Sequence, residues 1–126
     1  MIALVLDAGA LIAVDRNDRV VYEKIEKAPR AGRPVRTNPN AVAQVWRDGA
    51  KQVRLAKTLR AVEVEPITRE VGYRAGELLG ATRSKDVVDA TVALLAKSDD
   101  EVYTSDPGDL GLLCETAGIK AVVIGC

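Results

Sequence analysis

The chain contains no histidine. That absence removes the usual general base and excludes Ser/His and Cys/His nucleophilic catalysis, so acid–base or metal chemistry falls to carboxylates. Cysteine is scarce as well. Cys114 and Cys126 form no CxxC pair and have no histidine to join them, which excludes a structural zinc site and leaves reduced thiols as the expectation. No apolar run approaches a membrane span, and the opening MIALVLDAGA has no basic stretch before Asp7. Neither a signal peptide nor a membrane anchor is therefore expected, and the expected location is the cytoplasm. There is also no GxxxxGK[S/T] loop and no GxGxxG, so nucleoside triphosphates and dinucleotide cofactors lack support.

What is present describes one globular domain over residues 1–126. Hydrophobic residues make up 48% and charged residues 29%, a balance without the signature of disorder. Net charge is zero but unevenly placed. Residues 1–60 hold 12 Lys and Arg against 6 Asp and Glu, and residues 61–126 reverse this, with 6 against 12. A basic half attracts phosphates and an acidic half can hold divalent cations, although solvated helix faces give the same pattern. The overall neutrality argues against strong non-specific nucleic-acid binding.

The stretch IALVLDAGALIAV, Ile2 to Val14, organises the rest. Its first residues are too few for a free helix and read as a strand buried on both faces. Asp7 stops that strand, and Ala8, Gly9 and a helix-competent segment follow. Ligands of open α/β sheets bind just outside the carboxyl ends of strands, so Asp7 is either a site residue or simply the N-cap of the next helix.

Further along, Asn17–Asp18 opens an amphipathic helix to about Pro29, and Val35 to Thr37 is a short strand. Asn38–Pro39 pairs an N-cap with proline at the first helical position, starting a helix that buries Ala41, Val42, Val45 and Trp46. Beyond Gly49, Lys51, Arg54, Lys57 and Arg60 recur every three residues as a basic stripe, either a solvated face or an RNA-backbone contact. The alternating VEVE of residues 62–65 before Pro66 reads as an edge strand. Thr68 caps a helix that Gly80 ends. Ser84 precedes a helix with Asp86 and Asp89 on one face of its first turn. Asp99 to Glu101 reads as a solvated turn before the strand Val102–Thr104. Asp106-Pro107-Gly108 then leads into a helix from about Asp109 to Thr116, stopped by Gly118, and Ala121 to Ile124 is the last strand. This alternation predicts an α/β fold of three layers, a mostly parallel sheet of about five strands with helices on both faces.

Three sites at strand ends or helix starts carry acids: Asp7, the pair Asp86 and Asp89, and the pair Asp106 and Asp109. A right-handed parallel sheet brings such sites to one edge. Oxygen ligands without histidine or cysteine select hard ions such as Mg²⁺ or Mn²⁺, and the fitting reaction is phosphodiester hydrolysis by an activated water.

The motifs LDAGALIA (Leu6–Ala13), TNPNAVAQVWRDG (Thr37–Gly49), DVVDATVALLA (Asp86–Ala96) and TSDPGDL (Thr104–Leu110) resemble, in order, those of PIN domains, and most closely the single-domain VapC-like toxins. The resemblance implies a Mg²⁺- or Mn²⁺-dependent ribonuclease that forms homodimers and is inhibited by a cognate antitoxin protein. It implies catalytic roles for Asp7, Asp89 and Asp106 and a metal site drawn from Asp7, Asp86, Asp89, Asp106 and Asp109. Thr37, Gln44, Thr104 and Ser105 are then expected to orient substrate or water, and Arg47, Lys51 and Arg54 to meet RNA.

One departure stands out. Where such toxins commonly carry a glutamate, this chain has Gln44, an amide that supplies no negative charge. Asp48, four residues on, is either the substitute carboxylate or a surface residue beside Arg47. Loss of that charge leaves a second expectation, a PIN-like module that binds RNA or a protein without cleaving.

Overall fold

The computed structural model describes residues 1–126 as a five-stranded, all-parallel sheet. Strands β1 (Leu4–Leu6), β2 (Val35–Thr37), β3 (Glu63–Val64), β4 (Glu101–Thr104) and β5 (Val122–Gly125) lie in the order β3-β2-β1-β4-β5. Central β1 is fully buried, which is why its sequence is a continuous apolar run.

Seven helices connect the strands: α1 (Ala8–Asp15), α2 (Arg19–Arg30), α3 (Pro39–Val45), α4 (Val53–Arg60), α5 (Arg69–Thr82), α6 (Val87–Ala93) and α7 (Pro107–Thr116). Right-handed crossovers put α1 to α4 on one face, because both β1-to-β2 and β2-to-β3 step the same way. The return from β3 past β1 to β4, and the step to β5, place α5 to α7 on the other. Packing agrees: α1 touches α2, α3 and α4, whereas α5, α6 and α7 touch one another. The two layers meet where α3 contacts α6. No helix is long and apolar enough to cross a membrane.

Several element boundaries differ from the sequence expectation for identifiable reasons. Helix α3 stops at Val45, because Trp46 turns extended and the Gln52 side chain takes over the chain end. Its amide donates to the Val45 carbonyl, and its carbonyl accepts from the Arg47 and Asp48 N–H groups. Helix α5 runs through Gly80 to Thr82 and ends on Arg83, which adopts φ 56°. Helix α6 starts at Val87, with Asp86 as its cap outside the first turn, and the Ser84 hydroxyl accepts from the Asp86 N–H. The acidic turn before β4 is not simply solvated. Asp100 is 3% exposed and its two carboxylate oxygens accept from the N–H groups of Ala3 and Lys97, both at 2.9 Å.

Candidate metal centre

The strand order reverses between β1 and β4, the topological switch point where the loops after two neighbouring strands diverge to opposite faces. Asp7 stands at the end of β1, and Ser105 and Asp106 at the end of β4. The Asp7 N–H donates to the Tyr103 carbonyl at 3.2 Å and ties the end of β1 to β4, while the Asp106 N–H donates to the Thr104 hydroxyl at 2.9 Å and shapes the turn after β4.

Asp7 is the N-cap of α1 and lies close to the acids of the other two helix starts. Its Oδ1 accepts from the Ala10 N–H at 2.9 Å, and the residue is 3% exposed. Burial pushes its carboxyl pKa up. The Thr104 hydroxyl and the N–H groups of Ala10, Gly9 and Ser105 act the other way and favour its charged form.

Three acids converge nearby. Carboxylate oxygens of Asp89, Asp106 and Asp109 lie within 4.8 Å of one another. Two helix starts supply them, each by the same local device. Asp86 Oδ1 caps α6 by accepting from the Asp89 N–H at 3.0 Å, and Asp106 Oδ1 caps α7 by accepting from the Asp109 N–H at 3.3 Å. The spacing of three residues in each pair is therefore the distance from N-cap to third helical position, which puts the second acid over the helix start.

The electrostatics record this crowding. The Asp89 carboxyl is pushed up to about 7, first by desolvation and then by the charges of Asp86, Asp7, Asp106 and Asp109. Asp109 is likewise raised, chiefly through Asp106. Like charges held this close need a proton or a cation between them. An all-oxygen donor set, half-buried at Asp89 and open to solvent at Asp106 and Asp109, fits a hard divalent ion that keeps some of its water. Asp7 and Asp86 border this triad, both near enough for their charges to act on Asp89.

The remaining sequence candidates divide. Thr104 is fully buried beside Asp7, and Ser105 is exposed at the rim. Thr37 is also fully buried, but its hydroxyl donates to the Leu6 carbonyl at 2.8 Å and stitches β2 to β1, so it faces no substrate. Gln44 is exposed, with its side chain hydrogen-bonded to nothing. Asp48 lies beyond the end of α3, where it accepts from the Ala50 N–H and shapes a turn. It is not on the helix face of Gln44. Arg47 spends its guanidinium on the Ala43 and Trp46 carbonyls, and Arg54 donates to the Asp15 carbonyl; Lys51 is exposed and unpaired.

One supporting contact was not read from the sequence. Asn38, 1% exposed, caps α3 with its Oδ1 and donates from Nδ2 to the Thr91 hydroxyl at 3.1 Å. Thr91 sits two residues past Asp89, so this bond fixes α6 against α3. The cap was legible in Asn38–Pro39, but nothing local in the sequence names a partner 53 residues away. No protein-family model and no curated protein matches the chain.

Proposed function

We propose that this protein is a Mg²⁺- or Mn²⁺-dependent endoribonuclease, a PIN-like domain acting as the toxin of a toxin–antitoxin pair. The observation that carries the reading is the approach of the Asp89, Asp106 and Asp109 carboxylates at the switch point, with Asp7 near enough for its charge to act on Asp89. In this reading those three acids hold the cation and Asp7 anchors the site. When bound, such a cation supplies Lewis acidity toward a phosphodiester and its attacking water. Thr104 keeps the Asp7 carboxylate oriented, and Ser105 presents a hydroxyl at the rim to a phosphate oxygen. The resemblance in four ordered motifs supports RNA as the substrate, a homodimer, a protein antitoxin as the partner and the cytoplasm as the site of action.

The test uses the purified full chain with structured RNAs in Mg²⁺, in Mn²⁺ and in EDTA. Cleavage that EDTA abolishes and that Asp89→Asn and Asp7→Asn each lose supports the proposal. Undiminished cleavage by both variants overturns it. A second reading, a module that binds RNA or protein without cleaving, is favoured by the neutral, unbonded Gln44. It predicts RNA retention with no product in either metal.

A further inference from the structure

The two edges of the sheet are built differently. Edge strand β3 has two residues, carries Glu63 bound to Arg36 at 2.9 Å, and is followed by Glu65 and Pro66. Short length, charge and proline are the usual defences against strand addition. Edge strand β5 has none of them. Its four residues, Val122 to Gly125, are uncharged, and Val122 is 52% exposed.

The backbone of β5 is ready to pair. The N–H groups of Val122 and Cys126 donate inward to the Asp100 and Thr104 carbonyls. In a parallel ladder alternate residues turn their backbone groups to alternate sides, so the N–H and C=O of Val123 and Gly125 point outward with no partner.

Each face of this edge also carries a cavity. On the α2 side, a hollow of about 380 Å³ is lined by Ile124, Tyr103, Lys24 and Lys27, together with Arg33 and Glu101, whose charges pair with each other at 2.8 Å and leave the two lysines as its net charge. On the α7 side, one of about 410 Å³ is lined by Val123, Cys114, Ile119 and Ala121, with one charge of each sign, Glu115 and Lys120, also in its lining. Lys24 and Lys27 form no ion pair; the Lys24 ammonium lies over the Tyr103 ring at 5.5 Å from its centroid.

We infer that β5 is a docking edge for an extended segment of a protein partner, which adds a sixth strand and sends its side chains alternately into the two hollows. Main-chain bonds to Val123 and Gly125 give the affinity and the hollows give the selectivity. Charge sets the chemistry of the occupant: acidic side chains toward Lys24 and Lys27, apolar ones toward Cys114 and Ile119. A second copy of β5 would bring only Val122, Val123 and Ile124 and set no carboxylate against the two lysines. The inference rests on this edge alone and stands apart from the nuclease reading.

The test follows amide exchange by NMR in the full chain, with a synthetic peptide alternating valine and glutamate as the probe and one alternating valine and lysine as the control. The valine–glutamate peptide is expected to slow exchange at the Val123 and Gly125 amides, and the control to bind at least about tenfold more weakly. Val123→Pro, whose lost N–H points outward, removes binding with the fold retained. Lys24→Glu with Lys27→Glu, both on the exposed face of α2, reverses the peptide preference. No protection by either peptide, equal affinity for both, or protection that grows with protein concentration alone overturns the inference; the last outcome marks a self-pairing edge.

Discussion

Gly9 and Ser105 meet so closely that a Cβ built on Gly9 would lie 2.8 Å from the Ser105 backbone nitrogen. The first turn of α1 packs there against the Ser105 hydroxyl and Cβ, which lie nearer still, as well as against its backbone, and that contact holds the loop after β4 to the helix that Asp7 caps. Glycine is needed here for closeness and not for an unusual backbone angle.

Gly9→Ala separates two opposing effects. Within a helix, alanine is favoured over glycine by about 1 kcal/mol. The clash falls on the Ser105 hydroxyl, Cβ and backbone nitrogen together, of which a new rotamer moves only the hydroxyl, and overpacking of this kind costs about 1–3 kcal/mol. The clash is expected to win. Urea denaturation should show the variant less stable than the parent, with weaker stabilisation by Mn²⁺ because the Ser105 loop has moved. A variant as stable as the parent would mean that the loop gives way freely.

The Asp89 carboxyl gives a pH dependence with a definite sign. Its folded pKa of about 7 is above the ordinary 3.8, so the folded protein holds this proton more tightly than the unfolded chain. The stability from that proton is complete below the usual carboxylate range and is lost as pH rises through about 7. In EDTA, the melting temperature should fall over that interval in the parent and much less in Asp89→Asn. At about pH 8 the variant should melt higher than the parent, the pattern of a site held under strain for function. Added Mn²⁺ should raise the parent's melting temperature more at about pH 8 than at about pH 5.5, because cation and proton compete for one carboxylate. A flat EDTA profile in the parent would contradict the crowding of these acids.

The clamp between Asn38 and Thr91 tests whether helix packing positions the site. Thr91→Val keeps the shape and removes the hydroxyl, leaving the buried Asn38 amide without its acceptor. A loss of about 1–3 kcal/mol is expected. Thr91→Ser should retain most of the stability. If α6 is held by this bond, Thr91→Val also weakens Mn²⁺ binding, read by calorimetry well below the melting temperature, and Thr91→Ser does not.

Much of this was legible because local chemistry dictated it. The apolar run ending at Asp7, the N-cap at Asn38–Pro39, the edge character of VEVE and the stop at Gly118, which takes φ 74°, follow from strand burial, capping and turn rules. What stayed hidden depends on distant partners. Asp100 sits in a run of three acids that looks solvated, yet the N–H of Ala3, 97 residues away in sequence, draws it inside. Gln52 ends α3 from outside the helix, so a periodicity that continues past Val45 gave the wrong boundary, and Asp48, of its two alternatives, is the surface residue beside Arg47. Thr37 stands next to the cap of a site helix, but the adjacent β1 carbonyl claims its hydroxyl.

Asp100 yields a stability prediction independent of the metal site. Its two oxygens each satisfy a backbone N–H in a nearly dry environment, so Asp100→Ala orphans both donors and should cost about 2–4 kcal/mol. Asp100→Asn keeps one acceptor and should cost less, and neither change should alter the Mn²⁺ affinity of the folded fraction. Destabilisation below about 0.5 kcal/mol would mean that water replaces the carboxylate.

Gln44→Glu bears directly on the choice between cleaving and merely binding. Gln44 shares a helix face with Asn40, one turn earlier, whose amide lies 3.4 Å from the Thr91 hydroxyl, so its face borders the helix that carries Asp89. As an exposed, unbonded side chain it should tolerate the substitution within about 0.5 kcal/mol. A carboxylate added near a doubly charged ion strengthens its binding by several-fold to about tenfold, even with strong screening. Under the nuclease reading, Gln44→Glu therefore tightens Mn²⁺ binding and speeds RNA cleavage. Asp48→Asn, in the turn beyond α3, leaves both unchanged. If the glutamate tightens Mn²⁺ and still no RNA is cut, charge at this position was not what limited the chemistry. The binding-module reading is then the stronger one.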